Sequence, residues 1–399
     1  MHASSQPPVY IDLFAGCGGI SLGLYNAGWK GLFAIEKSPM AFSTLKHNLI
    51  EKKNHFDWPS WLSVSEHDIT DVLETFEKEL KKLQGKVDLV VGGPPCQGFS
   101  LAGRRNENDE RNTLAKSYVT FVKLVKPRMV FFENVRGFTI GFKRQSKRGK
   151  AYSEYIEKEL RKLGYNVKSD IVDFSEFGIP QRRKRFILVG MRDGDPEQYF
   201  KKIVEIKKAF LEGKKLPETV SLYEALSDLE QKHGERQSSE SPRFKEGNYG
   251  EAESDYQKWM RRETIGKFPD SHRFARHNKK TVERWIDVLA NCPKDVLLSN
   301  EWKYKFGLKK KSITPLDCKS SCPTLTTLPD DYIHYSEPRI LTVREYARIQ
   351  SFPDWYEFKD KYTTGGKLRK LEVPRYTQVG NAVPPLFAEL SGEVFKAIM

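Results

Sequence analysis

The sequence predicts an α/β fold, in which a mainly parallel β-sheet carries helices on both faces and a smaller, irregular domain is added. Between Val9 and Val135, apolar runs that suit strands alternate with amphipathic runs that suit helices, a pattern typical of a parallel sheet. Two further apolar runs follow without a helix between them, so we expect an antiparallel pair at the sheet edge. From about Asp195 to Tyr335 the alternation stops, which predicts the second domain.

Each predicted element corresponds to a short run of the sequence. We expect strands in VYIDLFAG, GLFAIE, LSVSEHDIT (a strand end), VDLVVGG and KPRMVFFENV, and the antiparallel pair in NVKSDIVDF and RFILVGM. We expect helices in SLGLYNAGW, PMAFSTLKHNLI and VLETFEKELKKL. A further helix follows from five apolar residues that share one helical face, namely Leu114, Tyr118, Phe121, Val122 and Val125.

The net charge of the chain is strongly positive. Its 399 residues include 67 Lys and Arg against 53 Asp and Glu, which gives +14. An excess of this kind favours a polyanionic partner, most often nucleic acid, but a soluble basic protein without such a partner would show it as well. Charge alone therefore leaves both interpretations open.

The cysteines and the apolar runs limit the class of protein. Five cysteines without a Cys-x-x-Cys pair argue against a disulfide framework. Cys318 and Cys322 have zinc-ligand spacing, but no second pair of ligands accompanies them, so we expect no metal. The N-terminal residues lack the apolar core of a signal peptide, and no apolar run is long enough to span a membrane. We expect a soluble, cytoplasmic protein.

The order of the elements brings four reactive side chains to one crevice. In open parallel sheets, ligands bind outside the carboxyl ends of the strands. Cys96 of VVGGPPCQGFS directly follows one strand, and Glu133 of FFENV ends the next. Arg183 and Arg185 of QRRKR precede and begin an antiparallel strand, which starts at the same edge. A lone free cysteine is most often a small buried side chain, but the convergence of thiol, carboxyl and guanidinium groups indicates a catalytic site.

A glycine-rich turn and two acidic residues predict a pocket for a nucleoside. The turn GCGG (16–19) permits close approach of a ligand to the backbone at a helix N-terminus. The dinucleotide fingerprint has Gly or Ala where this chain has Ser21, which weakens an NAD interpretation. Glu36 suits a ribose diol, and Asp68 can accept a hydrogen bond from an exocyclic amine. These features, without basic residues for a pyrophosphate, fit S-adenosylmethionine.

Seven motifs of the sequence resemble, in the same order, those of the cytosine-C5 DNA methyltransferases. They are DLFAGCGG, the Glu of AIEK, the Asp of HDIT, GGPPCQGFS, ENV, QRRKR and QVGNAVPP. The resemblance covers most of the chain. It implies a Rossmann-like class I methyltransferase fold, S-adenosyl-L-methionine as cofactor, double-stranded DNA as substrate, and a target-recognition domain that follows QRRKR.

The resemblance also implies roles for single residues. Cys96 is implied to be the nucleophile, Glu133 to contact the ring nitrogen of the target cytosine, and Arg183 and Arg185 to lie near the flipped nucleotide. The positions implied to contact the cofactor are Phe14, Gly16, Gly18, Gly19, Ile20, Glu36, Asp68, Ile69, Pro94, Asn381 and Val383. Lys37 departs from the pattern, because some members have an aromatic residue there beside the adenine, so that stacking contact does not carry over.

These residue types fit the implied reaction. Cytosine C5 is a weak nucleophile, and a thiolate that adds to C6 makes C5 enamine-like. A carboxyl group at N3 can donate or share a proton as negative charge develops on the ring. Nearby arginines favour the thiolate and can bind phosphate or the base carbonyl. The base must leave the helical stack to reach such a site.

Several residues are candidates for DNA contacts. The segment QGFSLAGRRNENDERN after Cys96 is polar, basic and glycine-bearing, as expected of a closing loop. Gln97 or Ser100 fits the space that a flipped base leaves, and Arg104 and Arg105 fit phosphates. An ordinary solvated loop is the alternative, both here and for FKRQSKRGK (142–150). By resemblance, the pair Thr324-Leu325 belongs to the recognition domain.

The motifs also predict the domain boundaries. We expect a catalytic domain in residues 1–194 and a target-recognition domain in residues 195–335. In residues 336–399 we expect a bridging segment, LTVREYARIQSFPD, and a return to the catalytic domain through QVGNAVPPLFAELSGEVFKAI.

Other functions stay open at this point. A tRNA cytosine methyltransferase shares the fold and the cysteine motif, but its Cys-Phe-Thr is missing, since the chain reads ENVRGFT. A non-catalytic DNA-binding relative would have no reason to keep Cys96, Glu133 and Arg183. An NAD oxidoreductase fits least.

The biological context is predicted from the compact organisation. The first strand begins by Val9, without a long regulatory region before it, as in prokaryotic enzymes. Such enzymes protect host DNA from a companion restriction endonuclease or act alone, and they are usually monomers. The protein would then meet its DNA in the nucleoid.

Overall fold

The structure is a computed structural model that describes residues 6–95, 112–140, 143–144, 147–148, 151–366, 368 and 371–399. The chain divides into two compact units. The first comprises Met1–Asp173, Lys184–Lys207 and Phe387–Met399, and the second comprises Phe174–Arg183 and Lys208–Leu386. Five predicted site residues lie outside the described residues: Cys96, Gln97, Ser100, Arg104 and Arg105.

The first unit is built on a six-stranded sheet with the strand order β2-β1-β3-β4-β6-β5. Its strands are β1 (Val9–Leu13), β2 (Lys30–Ile35), β3 (Leu89–Gly92), β4 (Met129–Val135), β5 (Asn166–Asp173) and β6 (Lys184–Met191). Strands β1 to β4 are parallel, while β6 is antiparallel to both β4 and β5. The predicted mixed sheet and its antiparallel pair at the edge are confirmed, and the inverted strand is the inner one of the pair.

Helices connect β1 to β4 as the sequence predicts, and two further helices, α6 and α7, were not predicted. They are α1 (Gly19–Asn26), α2 (Pro39–Leu45) continued by a π-helical segment (Lys46–Lys52), α3 (Ile69–Thr75), α4 (Glu77–Lys81), α5 (Asn112–Val125), α6 (Tyr152–Lys162) and α7 (Glu197–Gly213). The run VLETFEKELKKL, predicted as one helix, is divided between α3 and α4 because Phe76 has the non-helical angles φ −113° and ψ 25°. A short antiparallel pair, Lys143–Arg144 with Lys147–Arg148, precedes α6.

The core of the first unit includes the predicted apolar face of α5. Tyr118, Phe121, Val122 and Val125 are completely buried against the sheet. The Tyr118 hydroxyl lies 3.2 Å from the Val90 carbonyl and 3.1 Å from the Phe131 carbonyl, within hydrogen-bond reach of both. This residue therefore fixes α5 over β3 and β4, the two strands that lead into the predicted catalytic motifs.

The C-terminal helix, Pro385–Ile398, brings the end of the chain back to the first unit. The Trp29 ring N–H donates to the Gly392 carbonyl at 3.0 Å. The hydroxyls of Tyr199 and Ser391 are 2.8 Å apart. These buried bonds attach the helix to α7 and to the residue that precedes β2.

One predicted strand is wrong. The segment LSVSEHDIT (62–70) lies wholly within the described residues; residues 62–68 form bends and extended loop, and the last two residues begin α3. Its polar groups are satisfied locally, because Ser65 N donates to the Ser63 carbonyl at 2.9 Å and the Ser63 hydroxyl lies 3.2 Å from the His67 ring. A single backbone bond from His67 N to the Glu36 carbonyl, 2.8 Å long, joins it to the end of β2. The alternating pattern thus belongs to a turn-rich loop.

The second unit is irregular. Its helices are Leu222–Leu226, Asp255–Met260, Lys279–Asn291, Asn300–Lys305, Val343–Ile349 and Arg375–Asn381, with short 3₁₀ turns at Phe174–Phe177, Ser227–Leu229, Gln231–His233 and Pro329–Asp331. Its strand pairs are Gln181–Arg182 with Cys322–Pro323, Glu235–Gln237 with Lys245–Gly247, and Thr314–Pro315 with Tyr332–Ile333.

A buried ionic cluster holds the middle of the second unit. The Arg348 guanidinium lies 2.9 Å from Asp228 and 2.7 Å from Asp354, and all three side chains are buried. Charges removed from water in this way are tolerated because they are paired and hydrogen-bonded. In the part of the chain that the structure describes, no helix is both long and apolar enough to cross a membrane.

Candidate active site and cofactor pocket

The turn after β1 has a backbone conformation that few residue types adopt easily. Phe14, Gly16 and Gly18 have φ angles of 59°, 57° and 87°. Glycine adopts this left-handed region freely, whereas Phe14 does so at a cost that is typical of functional turns. A Cβ placed on Gly16 would meet no atom within 4 Å. The turn therefore exposes its backbone to open space, where a ligand can approach closely.

Glu36, at the end of β2, closes one side of this turn. Its carboxylate accepts hydrogen bonds from Gly16 N at 2.9 Å and from Ser38 N at 2.7 Å. Burial raises the pKa of Glu36, while these backbone bonds act in the opposite direction. A carboxylate has about four acceptor positions, so both oxygens can still accept from hydroxyl groups. This geometry is suited to a ribose diol.

Ser21, the residue that departs from the dinucleotide fingerprint, connects α1 to β1. Its hydroxyl donates to Asp12 Oδ2 at 2.6 Å, and both residues are fully buried. Burial raises the pKa of Asp12 to about 7, against the opposing hydrogen bond from Ser21. Ser21 thus secures the helix beneath the glycine turn.

Asp68 and Lys37 form an ion pair beside Glu36. The Lys37 ammonium lies 2.6 Å from Asp68 Oδ2, and Asp68 Oδ1 accepts from Thr70 N at 2.8 Å as the N-cap of α3. These two partners lower the pKa of Asp68, although its partial burial opposes them. Each carboxylate oxygen can accept a second bond, so an amine can still be bound here. Sequence reasoning identified Asp68 but missed that Lys37 would pair with it.

The residues of this pocket fit S-adenosyl-L-methionine. Open space lies in front of Gly16, and the carboxylates of Glu36 and Asp68 keep acceptor positions that a ribose diol and an amine could use. Ile20 and Ile69, the other implied cofactor positions of α1 and α3, are buried at the first turns of these helices.

The carboxyl end of β4 carries a buried pair of opposite charges. Glu133 Oε1 lies 2.9 Å from Arg185 Nε, and only 13% and 10% of the two side chains are exposed. The antiparallel register places Arg185 opposite Val135, two residues beyond Glu133. The structure therefore brings together two of the four predicted catalytic residues.

The exit of β3 is held close to Glu133 by two features. A Cβ on Gly93 would lie 2.8 Å from Glu133 Oε2, so only glycine fits without displacing that carboxylate. The Asn134 side chain donates to the Pro94 carbonyl at 3.1 Å. Asn134 thus fixes the backbone two residues before Cys96, a function that sequence reasoning missed although Asn134 is the middle residue of ENV.

Arg183 belongs to the second unit and has a different environment from Arg185. Its guanidinium donates to the Gly380 carbonyl at 2.9 Å, to Gln181 Oε1 at 3.2 Å and to the Leu325 carbonyl at 3.4 Å. It is 2% exposed. These bonds give Arg183 a structural role, and its contact with a nucleotide stays a prediction.

The Thr324-Leu325 pair is bound to the QRRKR segment. The Thr324 hydroxyl donates to the Arg182 carbonyl at 2.6 Å, and Leu325 N donates to Gln181 Oε1 at 2.9 Å. Gln181 also donates to Gln350 Oε1 at 2.8 Å. This glutamine therefore joins three motifs of the second unit.

The remaining implied cofactor positions, Asn381 and Val383, follow Gly380 in the second unit. Asn381 is exposed and Val383 is buried. The Gln350 side chain donates to the Val379 and Ala382 carbonyls, at 2.8 and 3.1 Å, and so fixes the backbone around them.

The fold and the residues around the glycine turn are those expected of an S-adenosylmethionine-dependent methyltransferase. The family model described as C-5 cytosine-specific DNA methylase matches residues 9–397. The chain is therefore a member of the C-5 cytosine-specific DNA methylase family.

Known methyltransferases are similar to this chain in sequence or in fold. Type II methyltransferase M.DdeI of Desulfomicrobium norvegicum is 33% identical over 400 residues, which cover 96% of this chain and 87% of that protein. Type II methyltransferase M.XorII of Xanthomonas oryzae pv. oryzae is 30% identical over 417 residues, which cover 98% and 85%. The crystal structure of a candidate DNA modification methyltransferase from an E. coli prophage shares the fold, with a TM-score of 0.66, 23% identity and coverage of 98% and 99%.

Proposed function

We propose that this chain transfers a methyl group from S-adenosyl-L-methionine to C5 of a flipped-out cytosine in a specific DNA sequence, through a covalent adduct between Cys96 and C6. The Glu133–Arg185 pair at 2.9 Å, next to the anchored backbone of Pro94, is the observation that carries this proposal. A carboxyl group held beside the segment that leads to a cysteine supports covalent catalysis in which attack of the thiolate is assisted by proton donation to the ring.

The proposed reaction assigns one task to each residue. The Cys96 thiolate adds to C6, and Glu133 supplies or shares a proton at N3 as charge develops on the ring. Arg185 compensates the charge of Glu133 and fixes its orientation through the bond to Oε1. C5 then takes the methyl group as the bond between that group and the cofactor sulfur breaks. The C5 proton and the thiolate leave the ring, and N3 returns its proton to Glu133. Water is the proposed acceptor of the C5 proton.

The cofactor supplies an electrophilic methyl group when bound. Glu36 would hold its ribose and Asp68 its adenine amine, while the backbone at Phe14, Gly16 and Gly18 would lie against the remainder. The other residues proposed to contact it are Gly19, Ile20, Ile69, Pro94, Asn381 and Val383.

The proposed domain roles follow the motifs. Residues 1–194 are the catalytic domain, residues 195–335 recognise the target sequence, and residues 336–399 bridge back to the catalytic domain. Gln97 or Ser100 would fill the space of the flipped base, and Arg104, Arg105, Thr324 and Leu325 would contact DNA. The relatives named Type II methyltransferases support a role in restriction and modification, with a companion endonuclease. We propose a monomer that acts on DNA in the cytoplasm.

The proposed substrate can be tested by methyl transfer in vitro. The purified chain is incubated with tritium-labelled S-adenosylmethionine and either plasmid DNA or total tRNA from the same host. We expect label in the DNA alone, and none with the variant Cys96→Ser. Label in tRNA but not in DNA would overturn the DNA substrate and would support the RNA alternative.

A further inference from the structure

We propose that a patch on the second unit, formed by Tyr304, Lys305, Lys309 and Lys311 and named the Tyr304 patch, binds the phosphate backbone of duplex DNA. This inference rests on the proposed DNA methyltransferase function, and it assigns part of the DNA contact to particular residues.

The region around the patch holds a disproportionate share of the positive charge. Residues 279–311 contain nine basic and four acidic residues, so one twelfth of the chain carries five of its fourteen net positive charges. Such a local excess attracts a polyanion and raises its rate of association.

The lysines of the patch are not neutralised by the protein. Lys305, Lys309 and Lys311 are all exposed, and no carboxylate of the described residues lies within 4 Å of their ammonium groups. Lys310 differs, because it pairs with Asp330 at 2.7 Å and with Asp331 at 2.8 Å. The three unpaired lysines are therefore the ones that can release counterions from DNA.

Tyr304 projects into solvent from the middle of this charge. It is 91% exposed and lies on the helix Asn300–Lys305. An aromatic residue this exposed, directly beside a lysine, is suited to a partner that offers both a sugar surface and a phosphate oxygen for its hydroxyl.

The patch is held on a folded support. Trp302 and Phe306 stack with their ring centroids 5.9 Å apart and an angle of 4° between their planes, and both pack on a small core that includes Trp285 and Val288. The Lys305 ammonium lies 4.9 Å from the centroid of the Trp302 ring and 5.6 Å from that of Phe306, so it is placed over this stack. The support reduces the entropy that the side chains lose on binding.

The four residues belong to one compact turn. Gly307 N donates to the Tyr304 carbonyl at 3.1 Å, and Leu308 N donates to the Lys303 carbonyl at 2.8 Å. The Lys303 side chain then donates to the Lys311 carbonyl at 2.8 Å. These bonds bring the chain after the helix back towards it, so the segment with Lys309 and Lys311 is attached to the helix that carries Tyr304.

The side-chain types of the Tyr304 patch indicate that it positions the protein on the phosphate backbone of DNA and does not read the bases. Lysines act as point charges on flexible stems and lack the rigid, planar fork with which arginine binds two acceptors at once. The patch should therefore affect affinity equally for target and unrelated sequences.

The test measures DNA affinity against salt concentration for the full-length chain and for the triple variant Lys305→Gln, Lys309→Gln, Lys311→Gln. Each phosphate contact contributes about 0.9 to the slope of log K against log salt, so loss of three contacts should make the slope shallower by about 2.7 and weaken binding at least about tenfold near 100 mM salt. The same change is expected for a target duplex and for an unrelated duplex. Tyr304→Ala should weaken binding about threefold without changing the slope, because tyrosine carries no charge.

A matched control separates the patch from general loss of charge. The triple variant Lys78→Gln, Lys82→Gln, Lys86→Gln changes three exposed lysines of the first unit by the same total charge, and should leave the slope close to that of the wild type. A patch variant that keeps the wild-type slope and affinity overturns the inference while the proposed function stands. Failure of the wild-type chain to bind either duplex contradicts the proposed function itself.

Discussion

Arg185 Nε lies 2.9 Å from Glu133 Oε1, and this pair joins the carboxyl end of β4 to the start of β6. Two residues that are 52 positions apart in the sequence thus form a single charged unit. We predict that Glu133→Gln slows methyl transfer by about 10²- to 10⁴-fold in a single-turnover assay, because the amide of glutamine cannot supply a proton to N3 of the cytosine. Arg185→Lys should cause a smaller loss, since it keeps the charge but not the planar geometry.

The surface pair of Arg161 with Glu157, at 3.1 Å, is the control for this prediction. Arg161→Lys should leave the rate unchanged, because exposed ion pairs contribute little. Wild-type rates in Glu133→Gln would show that this carboxylate is not used in the reaction.

The contact between Gly93 and Glu133 predicts a steric variant. In Gly93→Ala the new Cβ would lie 2.8 Å from Glu133 Oε2, so the carboxylate must move. Because misplacement of a catalytic group by about 1 Å can cost about 10²-fold, we expect the rate to fall at least about tenfold while cofactor affinity is kept. Gly213→Ala, where an added Cβ would meet no atom within 4 Å, should leave both unchanged. If Gly93→Ala and Gly213→Ala transfer methyl groups at the same rate, the close approach of Gly93 to Glu133 does not affect catalysis.

Asp68 serves as a helix cap and, in the proposal, as an acceptor for adenine. The variant Asp68→Asn separates these roles, since asparagine caps as well as aspartate but does not attract an amine with a negative charge. We expect the affinity for S-adenosylhomocysteine, measured by calorimetry, to fall about tenfold, with a change in unfolding free energy of less than about 0.5 kcal/mol. Lys37→Met keeps the stem, loses the exposed ion pair and should change the affinity less than about threefold. If Asp68→Asn binds S-adenosylhomocysteine as tightly as the wild type, Asp68 acts only as a helix cap.

Burial of Asp12 predicts a pH dependence of stability. Its pKa of about 7 in the fold lies above the ordinary value of 3.8. Between these values the unfolded chain loses the proton while the folded chain keeps it, so raising the pH favours unfolding by at most about 4 kcal/mol. The variant Asp12→Asn has no titrating group at this position and lacks this pH dependence. Its stability relative to wild type, followed by denaturant unfolding, should therefore rise from about pH 5 to about pH 7 and then level off.

An exposed residue provides the comparison for Asp12. Asp71→Asn, on the surface of α3, should differ from wild type by a constant amount over the same range. A flat difference for Asp12→Asn as well would show that Asp12 is already ionised in the fold at pH 5.

The strands could be predicted wherever apolar residues were continuous. The runs that became β3 and β4 are buried on both faces and were identified from composition. The prediction of a strand end from Leu62 to Thr70 failed because the polar positions of its alternating pattern are serines that bond locally. Alternation of apolar and polar residues cannot distinguish such a loop from a strand end.

The site could be predicted in its residue types but not in its contacts. Motif order identified Glu36, Asp68 and Glu133, which lie directly after β2, at the N-cap of α3 and near the carboxyl end of β4. The bonds from Gly16 to Glu36 and from Asn134 to Pro94 span 20 and 40 positions, and only the folded sheet brings their partners together. The placement of Arg183 also depends on tertiary structure, since neighbouring arginines of one motif belong to two different units.

Bisulfite sequencing of plasmid DNA from cells that express this chain shows whether the protein methylates cytosine in DNA. We predict that cytosines in one short sequence context are protected from conversion, and that protection disappears with Cys96→Ser. Complete conversion of plasmid from cells with the wild-type chain, when the purified protein binds S-adenosylhomocysteine, would contradict the claim that this protein methylates cytosine in DNA.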